Sequence, residues 1–303
     1  MSSVLWNGQN IAWMPGMWNH WVVRACTPLE PFKDFDSARL VWKRLNEVFP
    51  EMISAVVMMN HIHFILPGHM DSNEVLLKLG GLMSGISKRK KLTKLWQPIP
   101  PPSLIPDRMH LRRHIRYVAL NPCRKGLCAD PLSWYWSTYR EVMGASIARA
   151  NAGSSLARIL GELEKNFQVR FHAYVSGDPS VKVTGTVFPV SARPKLWAEE
   201  SIGEILAASA GALRVFPSDV QKQGPLRSLF IHLAYRHGWR QPRLLSEICG
   251  VGLRAVHHTL NQTPPSGLAV ADLCLGDRRL RPQEPFRDFP RSGNFSINAK
   301  QSS

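Results

Sequence analysis

Residues 52–67 read "MISAVVMMNHIHFILP", an apolar stretch in which Asn60, His61 and His63 stand out. The run is too long for one strand of about 5–6 residues. Asn60 is a turn former near its middle, so the stretch predicts two antiparallel strands joined by a tight turn near Met59-Asn60. On a strand, residues i and i+2 share a side, so His61 and His63 aim two imidazoles at one place. Packing, metal binding and catalysis all use such a pair. Taken alone, it is more often two half-buried sheet residues than a ligand set.

Working outward, "HWVVRACT" (20–27) is a β-rich run, followed by the loop "PLEPFKDF". From Asp36, "DSARLVWKRLNEVF" places Leu40, Val41, Leu45, Val48 and Phe49 at helical spacing, with Asp36 as N-cap. Downstream, "DSNEVLLKLGGLMSGISKR" (71–89) opens with capping residues and continues as a helix in spite of Gly80 and Gly81. Strand, helix, strand, strand, helix is the order of a ferredoxin-like α+β domain with an antiparallel sheet. The basic, proline-rich residues 88–106 read as a connection. Asp107 then caps the helix "RMHLRRHIRYVAL", which Asn121-Pro122 is expected to stop. Within it His110, His114, Tyr117 and Asn121 are spaced by four, three and four, and so line one face. That face is either a functional one or a solvated basic face with an incidental tyrosine.

The chain divides by composition into an N-terminal arm (1–16), a first domain (17–145), a linker with a short helix near 155–167 (146–197), a smaller all-α domain (198–262) and a mostly disordered tail (263–303). In the all-α region, "GPLRSLFIHLAYRHG" reads as a supporting helix. "QPRLLSEICGVGLRAVHHTLNQ" reads as a helix-turn-helix turning at Gly250-Val251-Gly252, or as part of a plain helical bundle. Its second helix, about 252–262, carries Arg254, His257 and His258. This stretch is weakly similar to the helix-turn-helix of the replication initiator DnaA.

Charge narrows the partners. Among 303 residues, 38 Lys and Arg face 22 Asp and Glu, a net +16. Such a field attracts polyanions, nucleic acid first and an anionic membrane second. No stretch approaches the roughly 18 apolar residues of a membrane span, and no secretory signal is visible. Five cysteines without a C-x-x-C pair argue against a disulfide framework, so a cytoplasmic setting is expected. Residues 84–116 hold nine Lys and Arg against Asp107 alone. Lys88, Arg89, Lys90, Lys91, Lys94, Arg112, Arg113 and Arg116 there, with Arg254 further on, are the candidate DNA contacts. Trp13, Trp18 and Trp96 are candidates for stacking on unpaired bases.

"MMNHIHFIL", "RYVALNPCRKGL" and "DPLSWYWSTYR", in that order, resemble the single-tyrosine HUH transposases, most of all the REP-associated tyrosine transposase branch. The resemblance covers roughly residues 17–145 and departs from the family pattern at Met59, where a proline is usual, and at Cys123 after the Asn-Pro pair. It implies a ferredoxin-like fold, His61 and His63 as metal ligands, Asn121 as the third ligand, and Tyr117 as the nucleophile. It also implies a DNA transposase or endonuclease that nicks and rejoins single-stranded or hairpin DNA at palindromic repeats through a 5′-phosphotyrosine. A tyrosine oxygen keeps the energy of the broken phosphodiester, and a divalent ion polarises the scissile oxygens. Two imidazoles and an amide oxygen suit Mg²⁺ or Mn²⁺. His114 is the candidate helper that takes the phenol proton, and Tyr135 and Tyr139 are the competing nucleophiles. The expected protein is a monomer or homodimer without a membrane partner. The alternatives are a DNA-binding regulator without cleavage activity and an RNA-directed enzyme.

Overall fold

The computed structural model describes residues 4–6, 9–11, 18–149, 152–162 and 165–282. At the N-terminus β1 (Val4–Trp6) and β2 (Gln9–Ile11) pair antiparallel, where an irregular arm was expected. The main sheet follows from β3 (Trp18–Arg24), β4 (Ser54–Val57), β5 (His61–Pro67) and β6 (Ser103–Ile105). These are antiparallel throughout, in the order β4-β5-β3-β6. The β4–β5 hairpin turns at residues 58–60, as Asn60 predicts; Met58 N–H closes it on His61 O at 2.8 Å.

Between β3 and β4 lies α1 (Phe35–Val48). Its cap is Asp34, which accepts from Ser37 N–H, and not Asp36, which sits inside the first turn. Phe35 is buried, and burying it at the first helical position moves the start of the helix back. Between β5 and β6 lies α2 (Ser72–Lys90), capped by Asp71. Val75, Leu79, Leu82 and Ile86 form its buried stripe, and Gly80 and Gly81 fall on the exposed side, where their lack of a side chain costs no packing. The proline-rich connection hides β6: Ser103–Ile105 lies between prolines but on the sheet edge, where a residue without an N–H leaves no ladder bond unmade.

Helix α3 (Arg108–Arg124) runs through Pro122 instead of stopping before it. Pro122 removes only its own N–H bond, and the helix needs just two more residues; Lys125 N–H still reaches Asn121 O. The consequence is that Asn121 stays on the same helical face as Tyr117.

Strand alternation gives the sheet two different faces. Trp21, Val23, Ala55, Val57, Ile62, Phe64 and Leu66 pack under α1 and α2. Val56, Ile65 and Ile105 pack under α3, and His20, His61 and His63 share that second face by register with them.

The remaining chain is helical. The expected linker contains α5 (Ala152–Leu160) and α6 (Phe167–Ser176), after the short α4 (Thr138–Val142). Then come α7 (Ile202–Leu213), α8 (Pro225–Arg236), α9 (Pro242–Cys249), α10 (Leu253–Leu260) and α11 (Leu268–Gly276). The turn between α9 and α10 falls at Gly250, whose φ of 63° is left-handed, as the sequence predicts. Helix α11 and the turn Arg278–Leu280 replace the first part of the expected tail, because Ala271, Cys274, Leu275 and Leu280 are apolar and find cover. The rest of that tail, from 283, lies outside the described residues.

The core under α3 continues without a break into these helices, joining Val118 and Leu120 to Phe171, Leu229, Phe230 and Leu275. Two buried arginines reinforce the join. Arg140 donates to the carbonyls of Leu132, Arg279 and Leu280. Arg214 donates to Ser137 O at 2.8 Å and lies over the Trp42 ring. No described helix is long and apolar enough to cross a membrane.

Candidate active site

The second face of the sheet and α3 bring together five of the residues singled out in the sequence: His61, His63, His114, Tyr117 and Asn121. His61 and His63 are each 4% exposed, with ring centroids 4.8 Å apart. Asn121, also buried, sets its amide 3.2 Å from His63 Nε2. The Tyr117 ring stands edge-on to His63 at 5.8 Å and, unlike those three, is 38% exposed. A reacting group open to solvent above a buried polar floor can meet a large substrate.

A residue the sequence reading missed completes the floor. His20 Nε2 lies 3.0 Å from His63 Nδ1, and its ring also meets those of His114 and Tyr117 at 5.7 and 6.2 Å. The available signal was alternation along β3, where His20 and Arg24 are polar positions two and six residues from Trp18 and so share its side of the strand.

The hydrogen bonds fix which nitrogen is free. His61 Nδ1 donates to Asn60 Oδ1 at 2.7 Å, which leaves Nε2 as a lone pair. His63 Nδ1 donates to His20, which leaves its Nε2 facing Asn121. His114 Nδ1 donates to His110 O at 2.9 Å, since a carbonyl only accepts, so its Nε2 is also a lone pair. Amide and ring orientations of this kind are assigned from the network.

Burial keeps the His20, His61 and His63 rings neutral. It pushes His63 down to about 2, with the charges of His61, His20 and Arg24 acting in the same direction. Burial likewise lowers His61 to about 4, helped by Arg24 and Lys125, and His20 to about 4, helped by His114. Neutral imidazoles offer lone pairs at ordinary pH.

Among the described residues no group of three His, Cys, Asp or Glu side chains is placed to hold a metal ion. A fit therefore rests on His61 Nε2, His63 Nε2 and the Asn121 amide turned to present its oxygen. Donors sharing one magnesium-sized ion stand about 3 Å apart, close to the 3.2 Å between His63 and Asn121. In such a fit His20 would take the outer role of a group that fixes a ligand's tautomer and angle. His20→Ala is expected to weaken Mn²⁺ binding about 10- to 100-fold, read by calorimetry; equal affinity in the variant would remove that role.

The other candidates separate. Tyr135 and Tyr139 are 1% and 2% exposed, bonded to Ala210 O and His172 Nδ1, and burial raises both phenols well above their ordinary range. They are packing residues. His110 turns to the capping Asp107 at 2.7 Å. Trp96 donates to Met83 O and Ser87 Oγ, a packing role; Trp13 lies outside the described residues.

The basic run is not one stripe. Lys88, Arg89, Lys91 and Lys94 are exposed at the end of α2, on the other side of the sheet from α3. Leu95–Gln97 bond back to Arg24 and Cys26, so this group stands at the sheet end where Arg24 pairs with His61. Arg113 is exposed on α3. Lys90 pairs with Asp34 at 2.7 Å, Arg112 with Glu162, and Arg116 with Asp178 at 2.9 Å. Arg112 and Arg116 both lie over Tyr174 at 4.4 Å. These three hold the fold together. Nearer the site are Arg24, Lys125 and Arg124, the last 5.2 Å from the Tyr117 ring centre.

No family model matches the chain, and no curated protein matches it. Among solved structures it is similar to a REP-associated tyrosine transposase bound to a REP hairpin. That match has 20% identity over 46% of this chain and 82% of the other, with a TM-score of 0.37, a likeness that does not by itself establish the family.

Proposed function

We propose that this protein is a metal-dependent DNA transposase or endonuclease of the single-tyrosine HUH type. It would nick and rejoin single-stranded or hairpin DNA at palindromic repeats. The observation that carries the reading is the meeting of a half-open tyrosine with two neutral histidines and an amide on one face of an antiparallel sheet. The order β4-β5-β3-β6, with α1 and α2 on one face, supports naming the scaffold ferredoxin-like.

In the proposed reaction Tyr117 Oη attacks phosphorus, an O–P bond forms and the P–O3′ bond breaks. The phenol proton passes to His114 Nε2, and the departing 3′ oxygen takes a proton from water. The strand's 5′ phosphate remains on tyrosine and its bond energy is kept for the reverse attack by a 3′ hydroxyl. Held by His61, His63 and Asn121, Mg²⁺ or Mn²⁺ would supply charge to the phosphate oxygens.

The test is incubation with Mn²⁺ and labelled single strands from palindromic repeats beside the gene, followed by denaturing electrophoresis. A covalent protein–DNA band that a chelator prevents supports the enzyme. Tight binding without such a band, across metals and strands, makes the regulator the better reading.

Helices α9 and α10 support a helix-turn-helix standing on α8. In α10 only Val256 is buried; Arg254, His257 and His258 are exposed, and the helix carries no carboxylate. Arg254 is assigned to a duplex phosphate. Arg254→Ala should lower the slope of log affinity against log salt by about one, measured on a hairpin stem. An unchanged slope rejects that contact.

A further inference from the structure

We propose that Arg124 binds a non-bridging oxygen of the phosphate that Tyr117 attacks, and that Asp178, braced by Ser180, is the positioning residue that aims it. The proposal rests on the reading of Tyr117 as nucleophile and adds to it two residues, one of them outside the motifs that resemble the transposases.

Arg124 lies seven residues after Tyr117 on α3, two turns along the same face. Its guanidinium stands 5.2 Å from the Tyr117 ring centre and keeps its side chain one-third exposed. One of its nitrogens, Nη2, is tied down, donating to Ser180 Oγ at 3.1 Å and to Asp178 Oδ2 at 3.4 Å. A planar fork gripped at one corner presents its remaining N–H groups in a fixed direction, which is how arginine recognises phosphate.

Asp178 is built for holding. It is buried, and its Oδ1 accepts from Ser180 N–H at 2.9 Å and from Ser180 Oγ–H. Its Oδ2 serves two guanidiniums, Arg116 at 2.9 Å and Arg124 at 3.4 Å. One carboxylate against two guanidiniums leaves one positive charge uncompensated beside the tyrosine. The helix α6 that delivers Asp178 is itself docked on α3 through Tyr174, which lies under both Arg112 and Arg116. A purely structural bridge has no need of the second, one-third-exposed arginine next to the ring, whereas an anion site does.

The experiment measures single-turnover adduct formation by the full chain, with strand affinity and the thermal midpoint recorded for each variant. Arg124→Ala is expected to slow the adduct about 10²- to 10³-fold, the loss typical of one donor to a reacting oxyanion, with strand affinity and midpoint held. Millimolar guanidinium should restore at least a tenth of the lost rate in Arg124→Ala and leave the wild type unmoved. Arg124→Lys should fall between them. Asp178→Asn should slow the adduct roughly tenfold without changing strand affinity. A rate in Arg124→Ala equal to wild type, or a slow rate that guanidinium leaves untouched, overturns the assignment while Tyr117 keeps its role. Absence of a Tyr117-dependent adduct in the wild type overturns both.

Discussion

Tyr117→Phe protein forms no covalent complex with its strand. Losing the only oxygen able to become the phosphotyrosine should cut adduct formation at least about a thousand-fold, the scale seen when a nucleophile is deleted from a working site. Strand affinity and Mn²⁺ affinity should hold, because the phenylalanine ring keeps the edge contacts to His63 and His20. The neighbouring tyrosines supply the control. Tyr135→Phe and Tyr139→Phe lose buried hydrogen bonds to Ala210 O and His172. Each should cost about 1 kcal/mol of stability and leave the adduct in place. Adduct surviving in Tyr117→Phe and lost in either of the other two would reverse the assignment.

Arg140→Ala is expected to be the most damaging single change to the fold. The guanidinium is fully buried, lies 4.7 Å from the Tyr135 ring centre and donates to carbonyls from the turn before α4 and from the turn after α11. Removing it strands those carbonyls away from water and leaves a cavity, a combination that costs about 3–5 kcal/mol. In a chain of this size that lowers the thermal midpoint by roughly 5–8 °C. Both halves of the molecule should be lost in one transition, because the arginine bridges them. A midpoint within a degree or two of wild type would mean those carbonyls find other donors.

The parts of the site that local sequence could show were those set by period. Asn60 marked the hairpin, spacing of two put His61 and His63 on one side, and spacing of four put Tyr117 and Asn121 on one helical face. What escaped depends on distant partners or on context. His20 is one histidine in a strand until β3 is laid beside β5 and Nε2 meets His63. Arg112 and Arg116 look like a free basic face until Glu162 and Asp178, some fifty and sixty residues on, close on them. Pro122 looked like a stop because proline disfavours a helical residue before it, but two further residues of helix tolerate a single missing bond. The edge strand β6 and the helix α11 lay in stretches whose composition suggested connection and tail, and each forms because neighbouring elements offer it cover.

The unbroken core under α3 has a consequence for where a strand would be cut. Val256, the buried anchor of α10, belongs to the same packed cluster as Val118 and Leu120, which lie between Tyr117 and Asn121 in the site's helical turn. A DNA-gripping module on a flexible tether samples a volume, and its partner site meets the strand at a spread of positions. If α10 is the grip, it and the tyrosine are two points of one solid, like the jaws of a caliper locked at a single opening. A duplex seated on α10 would then present its flanking single strand to Tyr117 at one fixed number of nucleotides. Lengthening the stem by a base pair would move the nick along with the stem and leave the distance between them unchanged.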